Sequence, residues 1–283
     1  MPIVEVGGRL QKRAWVSLPY SDHVPVLSSS SAATAEFLAA LDRAWRDAGA
    51  AYLHVRGSLP GTSSQYEADV IHTLDLQTDL DAVRRRFHKM AVRGIRKGER
   101  EGVTVRRGER AEDLTEVFYG LHLMTRRRQG SPVQPKRFFR LLWERWIAEQ
   151  RGHVLTAYCG KEPIAATVFL SYNKTLVYKF SASNPAALSL RPNHVIIWRA
   201  IQDACNAGMR VLDFGLSDRA NTGLRAFKSR WGATEKPLVY TTLSDGAVAH
   251  RAGHAPRLAQ MVIQRSPPMV CRAAGELFYR LAA

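Results

Sequence analysis

Residues 153–183, HVLTAYCGKEPIAATVFLSYNKTLVYKFSAS, constrain this chain more than any other stretch. Three β-rich runs are separated by GKEP and YNKT, so the segment reads as three antiparallel strands joined by tight reversals. A helical pattern then runs from about Asn193 to Ala207 and stops at Gly208, a residue suited to a helix C-terminus. Another strand, RVLDFG, follows it. A meander that is left by a helix and rejoined by a strand implies a mixed sheet flanked by helices. The loop LSDRANTG, a short helix LRAFKSRWG and a closing strand PLVYTTL complete this half.

The first half uses similar elements. AWVSLPYSD gives a strand broken at Pro19. The serines from Ser28 to Ser31 lead into a helix whose Phe37, Ala40, Leu41, Ala44 and Trp45 share one face, and Gly49 ends it. AYLHVRG and VIHTLDL read as strands. From Leu80 a single helix is expected, with Leu80, Val83, Phe87, Met90 and Ile95 as its apolar stripe, followed by the strand VTVRR. A helix from about Glu112 carries Leu114, Val117, Phe118 and Leu121; a second begins at Pro135, with Phe139, Leu142, Trp143, Trp146 and Ile147 on one side.

With 283 residues and 46% hydrophobic content, the chain can bury a substantial core. No apolar run reaches 18 residues and the N-terminus lacks a signal-peptide layout, so a cytoplasmic protein without a transmembrane segment is expected. Cys159, Cys205 and Cys271 are scattered, which suggests neither a disulfide framework nor a zinc site. The formal charge of +16 implies a face that meets phosphate, carboxylate or an anionic membrane, or else a diffuse use of arginine. Its distribution weighs against the diffuse alternative: residues 84–110 hold eleven lysines and arginines against three glutamates, a net of +8 and half of the chain's excess. That segment is either a phosphate-binding surface or a solvated helix face.

The blocks FHKMAVRGIRKGEREGVTV, PNHVIIWRAIQDACNAGMRVLDFG and GLRAFKSRWGA, in this order and separation, resemble the FemAB-like branch of the GNAT acyltransferases, which includes CelD-type acetyltransferases and Fem aminoacyltransferases. The likeness spans about residues 70 to 240. It implies an α/β (α+β) fold of two GNAT-like lobes, each a mixed, largely antiparallel sheet flanked by helices. The lobes are expected at 1–108, abbreviated and ending in the basic helix, and at 109–245, with a helical tail over 246–283 packing back on the body. The chain is expected to begin part-way into the first lobe. The resemblance also implies an acyl or aminoacyl donor, an amine acceptor and no metal. One departure is informative. Acetyl-CoA-using members place a glycine-rich turn before the helix after the central strands, where backbone N–H groups hold the pyrophosphate. The matching stretch here, SASNPAALSLRPNHVIIW, has no glycine. The donor is expected to be acyl-CoA or an aminoacyl-tRNA, and the second suits both the missing turn and the cationic helix. Arg86, Lys89, Arg93, Arg96 and Lys97 are the candidates for holding its phosphates.

Acyl transfer to an amine needs a neutral nucleophile, a route for its proton and stabilisation of the developing negative charge. In GLRAFKSRWG, Leu224, Phe227 and Trp231 share one side, and Lys228 lies about 70° from the middle of that sector, nearer than Arg230 or Arg225. The family's lysine in this motif is linked to donor positioning and charge stabilisation, and the resemblance carries that role to Lys228; the alternative is a snorkelling surface lysine. Asp213, at the end of VLDFG, is either a proton acceptor or a structural tie to the loop behind it. Tyr178, His194, Asp218, Arg219 and Arg225 are further candidates for substrate contact, with core packing or exposure as their alternatives. The expected activity is N-acyl transfer to an amine of a cell-envelope or polysaccharide precursor or a small metabolite. Its rivals are a tRNA-dependent peptide-bond-forming ligase, and a non-catalytic protein that binds nucleic acid or an anionic surface and would dispense with Lys228.

Overall fold

The computed structural model describes residues 1–8, 11–19, 21–62, 64–76, 79–244 and 257–281. The expected meander is present as β6 (Gly152–Cys159), β7 (Glu162–Tyr172) and β8 (Thr175–Ser183), paired antiparallel. Asn173 and Lys174 both have positive φ, as a two-residue hairpin turn of this kind requires. β5 (Val103–Arg107) adds to the free side of β6. The middle of β6 and of β7 is buried without alternation, because helices cover both faces.

On one face lie α2 (Leu80–Arg85), α3 (Lys89–Arg100) and α6 (Pro192–Asn206), whose Val83, Ile95, Ile197 and Ile201, with Phe87 from the break between α2 and α3, share a core with Leu155, Phe169 and Leu212 of the sheet. On the other face, a π-type turn over Asp113–Phe118 runs into α4 (Tyr119–Arg128), and α5 (Lys136–Leu142) continues through a second such turn to Ile147. Their Leu114, Phe118, Phe139 and Ile147 pack on Val154, Ala166 and Val168. The tail helices α8 (Arg257–Arg265) and α9 (Pro268–Leu281) join this side through Ile263 and Cys271. The beginning of the expected tail, residues 246–256, lies outside the described residues.

The N-terminal elements are β1 (Val4–Gly8), β2 (Gln11–Val16), α1 (Ser31–Asp47), β3 (Tyr52–Val55) and β4 (Gln65–Asp75). Ser30 caps α1 by accepting from the Ala33 N–H. Leu41 and Trp45 of α1 cover Leu53 and Val55, and β3 accordingly alternates in burial. With β9 (Val211–Ser217), α7 (Thr222–Ser229) and β10 (Thr234–Ser244) the chain completes one ten-stranded sheet in the order β1-β2-β3-β10-β4-β9-β8-β7-β6-β5. It is a mixed sheet of an α+β fold: among the described residues β2 with β3 and β8 with β9 run parallel, and the other neighbours run antiparallel. Hydrogen bonding is continuous across the expected lobe boundary. β5 and α3, from before residue 108, pack with the second half, while β10 is inserted between β3 and β4.

The helix expected from Leu80 is two helices. His88 has extended backbone (φ −63°, ψ 145°) and its Nδ1 accepts from the Met90 N–H, so it caps a new start. The break lets Phe87 drop between Trp198 and Trp231, and it rotates the turns from Lys89 onward. Met90 is therefore 41% exposed, and the buried face of α3 is Ala91, Gly94, Ile95 and Gly98. The two glycines set how close α3 can lie to α6. A Cβ on Gly94 would fall 2.2 Å from the His194 ring, and one on Gly98 would fall 2.4 Å from Val195.

Candidate active site

β8 and β9 are paired only at Thr175–Val177 with Val211–Asp213. Beyond that point β8 stays with β7 and β9 stays with β4, so the sheet opens between them. The parting coincides with an extra residue in β9. Ile71 and Thr73 of β4 pair with Leu216 and Asp213, which leaves Phe214 and Gly215 opposite one residue. Within this bulge Gly215 takes the left-handed conformation, φ +69°, which glycine adopts without a Cβ penalty. Asp213 holds the bulge, its Oδ1 accepting from the Gly215 N–H at 2.7 Å.

The bulge presents two backbone carbonyls to α7, and Lys228 uses them. Its Nζ donates to Gly215 O at 2.9 Å and to Leu216 O at 2.8 Å, committing two of its three N–H groups. Lys228 is 3% exposed, so its ammonium is neither in bulk water nor at the loop tip. Burial pulls its pKa down to about 8, against the pull of Asp22 and then Asp213. Asp22 comes from the loop after β2, and its Oδ2 lies 3.6 Å from the Lys179 ammonium on β8. Burial raises the pKa of Asp213, opposed chiefly by its hydrogen bond from Gly215. His23, next to Asp22, is exposed and has its pKa lowered by partial desolvation, with Asp213 acting the other way. Behind the lysine lies His72 of β4, fully buried, its Nε2 3.0 Å from Glu235 Oε2. Burial and the Lys228 charge both lower the pKa of His72.

Of the residues singled out from the sequence, Lys228 and Asp213 are thus brought together, at the sheet opening. Tyr178 adjoins them, but its ring packs between Phe169 and Phe214. Arg225 and Arg219 are engaged elsewhere. Arg225 makes two bonds to the Glu235 carboxylate (2.9 and 2.8 Å), and Arg219 reaches Glu67 at 2.5 Å, so both tie the β9–α7 region to neighbouring strands. Asp218 accepts from the Ala220 N–H within the same loop. His194 is a packing residue. It sits at the start of α6 against Gly94, Phe227 and Trp231, and burial drives its pKa to about 4, with Arg191 and Arg230 adding to the effect.

The cationic residues divide. Arg86 donates to the Asp75 carbonyl. Lys89, Arg93, Arg96 and Arg100 are exposed and spaced by four, three and four, so they form a single stripe on the side of α3 opposite the face packed on α6; Lys97 lies beside it. Among the described residues, none of these five forms an ion pair with an acidic side chain. The stripe faces outward, away from α6.

A family model described as an acetyltransferase (GNAT) domain matches residues 85–229, from the end of α2 through Lys228. The chain belongs to the GNAT acetyltransferase family. No curated protein sequence matches this GNAT protein. Among solved structures it is similar to FemX, at 12% identity and a TM-score of 0.61 over 84% of this chain and 87% of that one. It is also similar to L-PGS from Bacillus licheniformis, at 11% identity and 0.54 over 93% and 84%. At these identities the likeness is one of fold. The GNAT protein is an acyltransferase, and its fold implies an acyl donor and an amine acceptor. The start of α6, where a GNAT pyrophosphate cradle would stand, is poor in free donors. Arg191 caps the helix in the left-handed region, Pro192 has no N–H, and the His194 N–H is bonded to Arg191 O. Among the described residues no helix is long and apolar enough to cross a membrane, and no group of three His, Cys, Asp or Glu side chains is arranged to hold a metal ion.

Sequence reasoning missed Asp22, His23, Lys179 and His72. Nothing local marks them: they lie on a loop and two strands that meet only through long-range pairing, and PYSD reads as the frayed end of a strand.

Proposed function

We propose that this protein transfers an acyl or aminoacyl group to an amine of a cell-envelope or polysaccharide precursor or a small metabolite, with Lys228 as the charge-stabilising residue. The observation that carries the reading is the Lys228 ammonium, hidden from water and anchored by the Gly215 and Leu216 carbonyls where β8 and β9 part. A neutral amine attacks the donor carbonyl, a C–N bond forms, and the oxygen takes negative charge. The free N–H of Lys228 meets that charge. Collapse of the tetrahedral centre breaks the bond to the leaving group, and the amine's proton leaves to a carboxylate at the opening, with Asp213 as the candidate. A preorganised donor of this kind acts without rearrangement because its own partners already fix it.

An aminoacyl-tRNA is the donor we favour over acyl-CoA. The α6 start offers little for a pyrophosphate, while the unpaired stripe Lys89, Arg93, Arg96 and Arg100 suits a long phosphate backbone held on the outer surface. Purified protein is offered charged tRNA and radiolabelled acetyl-CoA separately, and transfer to amines is followed. Saturable transfer from neither overturns the enzyme reading and leaves a non-catalytic polyanion-binding protein. Reversing Arg93 and Arg96 to Glu is expected to weaken tRNA binding and to flatten its dependence on salt by about 0.7 in log–log slope for each phosphate no longer neutralised. Unchanged binding and slope remove the stripe from the donor site.

A second reading, peripheral contact with an anionic membrane surface, is favoured by α8 and α9. Met261, Val262, Met269, Val270 and Leu277 are exposed there. Val270, Ala273 and Leu277 recur on the side of α9 away from the buried Cys271 and Gly275, and residues 257–281 hold four arginines against one glutamate. The chain is expected to sediment with phosphatidylglycerol-containing vesicles and not with phosphatidylcholine alone, and Leu277→Asp should reduce the bound fraction several-fold. Equal sedimentation of wild type and variant discards this surface.

A further inference from the structure

The loop after β2 carries the N-terminal half of the molecule to the sheet opening. Its main chain is anchored three times without help from the Asp22 carboxylate. The Tyr240 hydroxyl donates to Asp22 O at 2.7 Å, Arg56 Nη1 donates to Ser21 O at 2.6 Å, and the Val24 N–H donates to Arg56 O at 2.7 Å. The carboxylate itself is turned to the second half. It reaches Lys179 of β8 at 3.6 Å, and a Cβ placed on Gly215 of β9 would lie 3.2 Å from its Oδ2. One side chain therefore meets both strands that part. Gly215, whose φ of +69° favours glycine, lets the carboxylate approach without the tight contact that a Cβ would bring.

We infer that Asp22 is a positioning residue for the transfer, the N-terminal half's contribution to the catalytic centre, which fixes the charge and place of the Lys228 ammonium across the sheet opening. This rests on the reading of Lys228 given above. The need for such a group arises from the surroundings of the lysine. Burial favours the neutral amine, which cannot offset an oxyanion. Among the cationic groups around it, Lys179 of β8 is turned to Asp22 and Arg225 of α7 to Glu235, while His72 of β4, when protonated, opposes a positive charge there. Glu235 of β10 is engaged by Arg225 and His72. That leaves Asp213 of β9 and Asp22, with His23 beside them at the mouth. Of the two carboxylates, Asp22 exerts the larger pull on Lys228, and Asp213 is partly committed to the Gly215 N–H.

The test needs no substrate. In the full-length chain with isotope-labelled lysine, the side-chain resonance of Lys228 is titrated by NMR, with Lys174 in the exposed β7–β8 turn as internal reference. Wild-type Lys228 is expected to titrate near 8. In Asp22→Asn its midpoint should fall by about one pH unit, a tenfold weaker hold on the proton. Asp22→Glu should restore it, Asp213→Asn should lower it less, and Lys174 should not move. A Lys228 midpoint in Asp22→Asn within a few tenths of wild type, at unchanged thermal stability, overturns the inference. If that variant does not fold, Tyr240→Phe removes only the anchor on the Asp22 carbonyl. A downward shift of Lys228 then supports the inference, and none overturns it. Retained transfer activity in Lys228→Met would instead sink the catalytic reading of the lysine, whatever its titration shows.

Discussion

Lys228→Met is expected to lower the turnover of acyl transfer by about 10²- to 10³-fold, the usual effect of removing one preorganised donor from a developing oxyanion. The methionine keeps the apolar stem but leaves the Gly215 and Leu216 carbonyls without their donor. The wild-type rate should also fall as pH rises through about 8, because only the ammonium stabilises the charge. Stability should move the other way. The native lysine holds its proton less tightly than in the unfolded chain, about 8 against 10.5, so between those values the unfolded state binds more protons. Wild-type stability therefore gains on the order of 3 kcal/mol from this group as pH rises from about 8 to 10.5. The methionine variant lacks that gain. Urea melts of both proteins across this range, with initial rates on the same samples, test the two halves together. Full turnover in the variant, or parallel stability profiles, contradicts the assignment.

Acid should begin to destabilise the protein before its carboxylates are neutralised. His122 and His153 are 4% and 8% exposed, and burial holds the pKa of each at about 4, as it does for the less buried His194. Between pH 4 and 6.5 the unfolded chain takes up these protons and the native chain does not. The stability associated with the three neutral imidazoles is thus fully present above 6.5 and is lost progressively as pH falls to 4. His122 and His153 contribute on the order of 3 kcal/mol each, and His194 less because solvent reaches it. His153 isolates the effect. Its Nε2 has no hydrogen-bond partner among the described residues and its ring stacks on Phe169 at 5.3 Å, so His153→Phe keeps the stacking and removes the titration. The variant should be about 1–3 kcal/mol more stable than wild type at pH 5 and close to it at pH 7, measured by urea melts. A pH profile identical to wild type would falsify the assignment.

What could be read from the sequence was local. The YNKT turn marked the β7–β8 hairpin because two left-handed residues suit a tight reversal, and Gly208 ended α6 with φ +68°. Ser30 capped α1 where the serine run suggested a start. The break at His88 was not legible, because apolar spacing continues through Phe87 and only the tryptophans waiting for that ring interrupt the helix. Lys228 illustrates the same limit within the site. Apolar periodicity placed it beside the buried sector of α7, yet it is the residue that α7 buries and Leu224 is the more exposed, because the partner of this face is a pair of backbone carbonyls. A hydropathy pattern carries no record of a carbonyl supplied by a bulge in another strand. Asp22 escaped for the same reason, since its neighbours on β8 and β9 are more than 150 residues away in sequence.

The place of β10 has a consequence for biosynthesis. It lies between β3 and β4, so the N-terminal part of the sheet stays incomplete until residues 234–244 have left the ribosome. The first elements made must therefore wait, with two strand edges unpaired, for the last strand among the described residues. A nascent chain stalled before residue 234 should bind holdase chaperones through β3 and β4, and release should coincide with the emergence of this one segment.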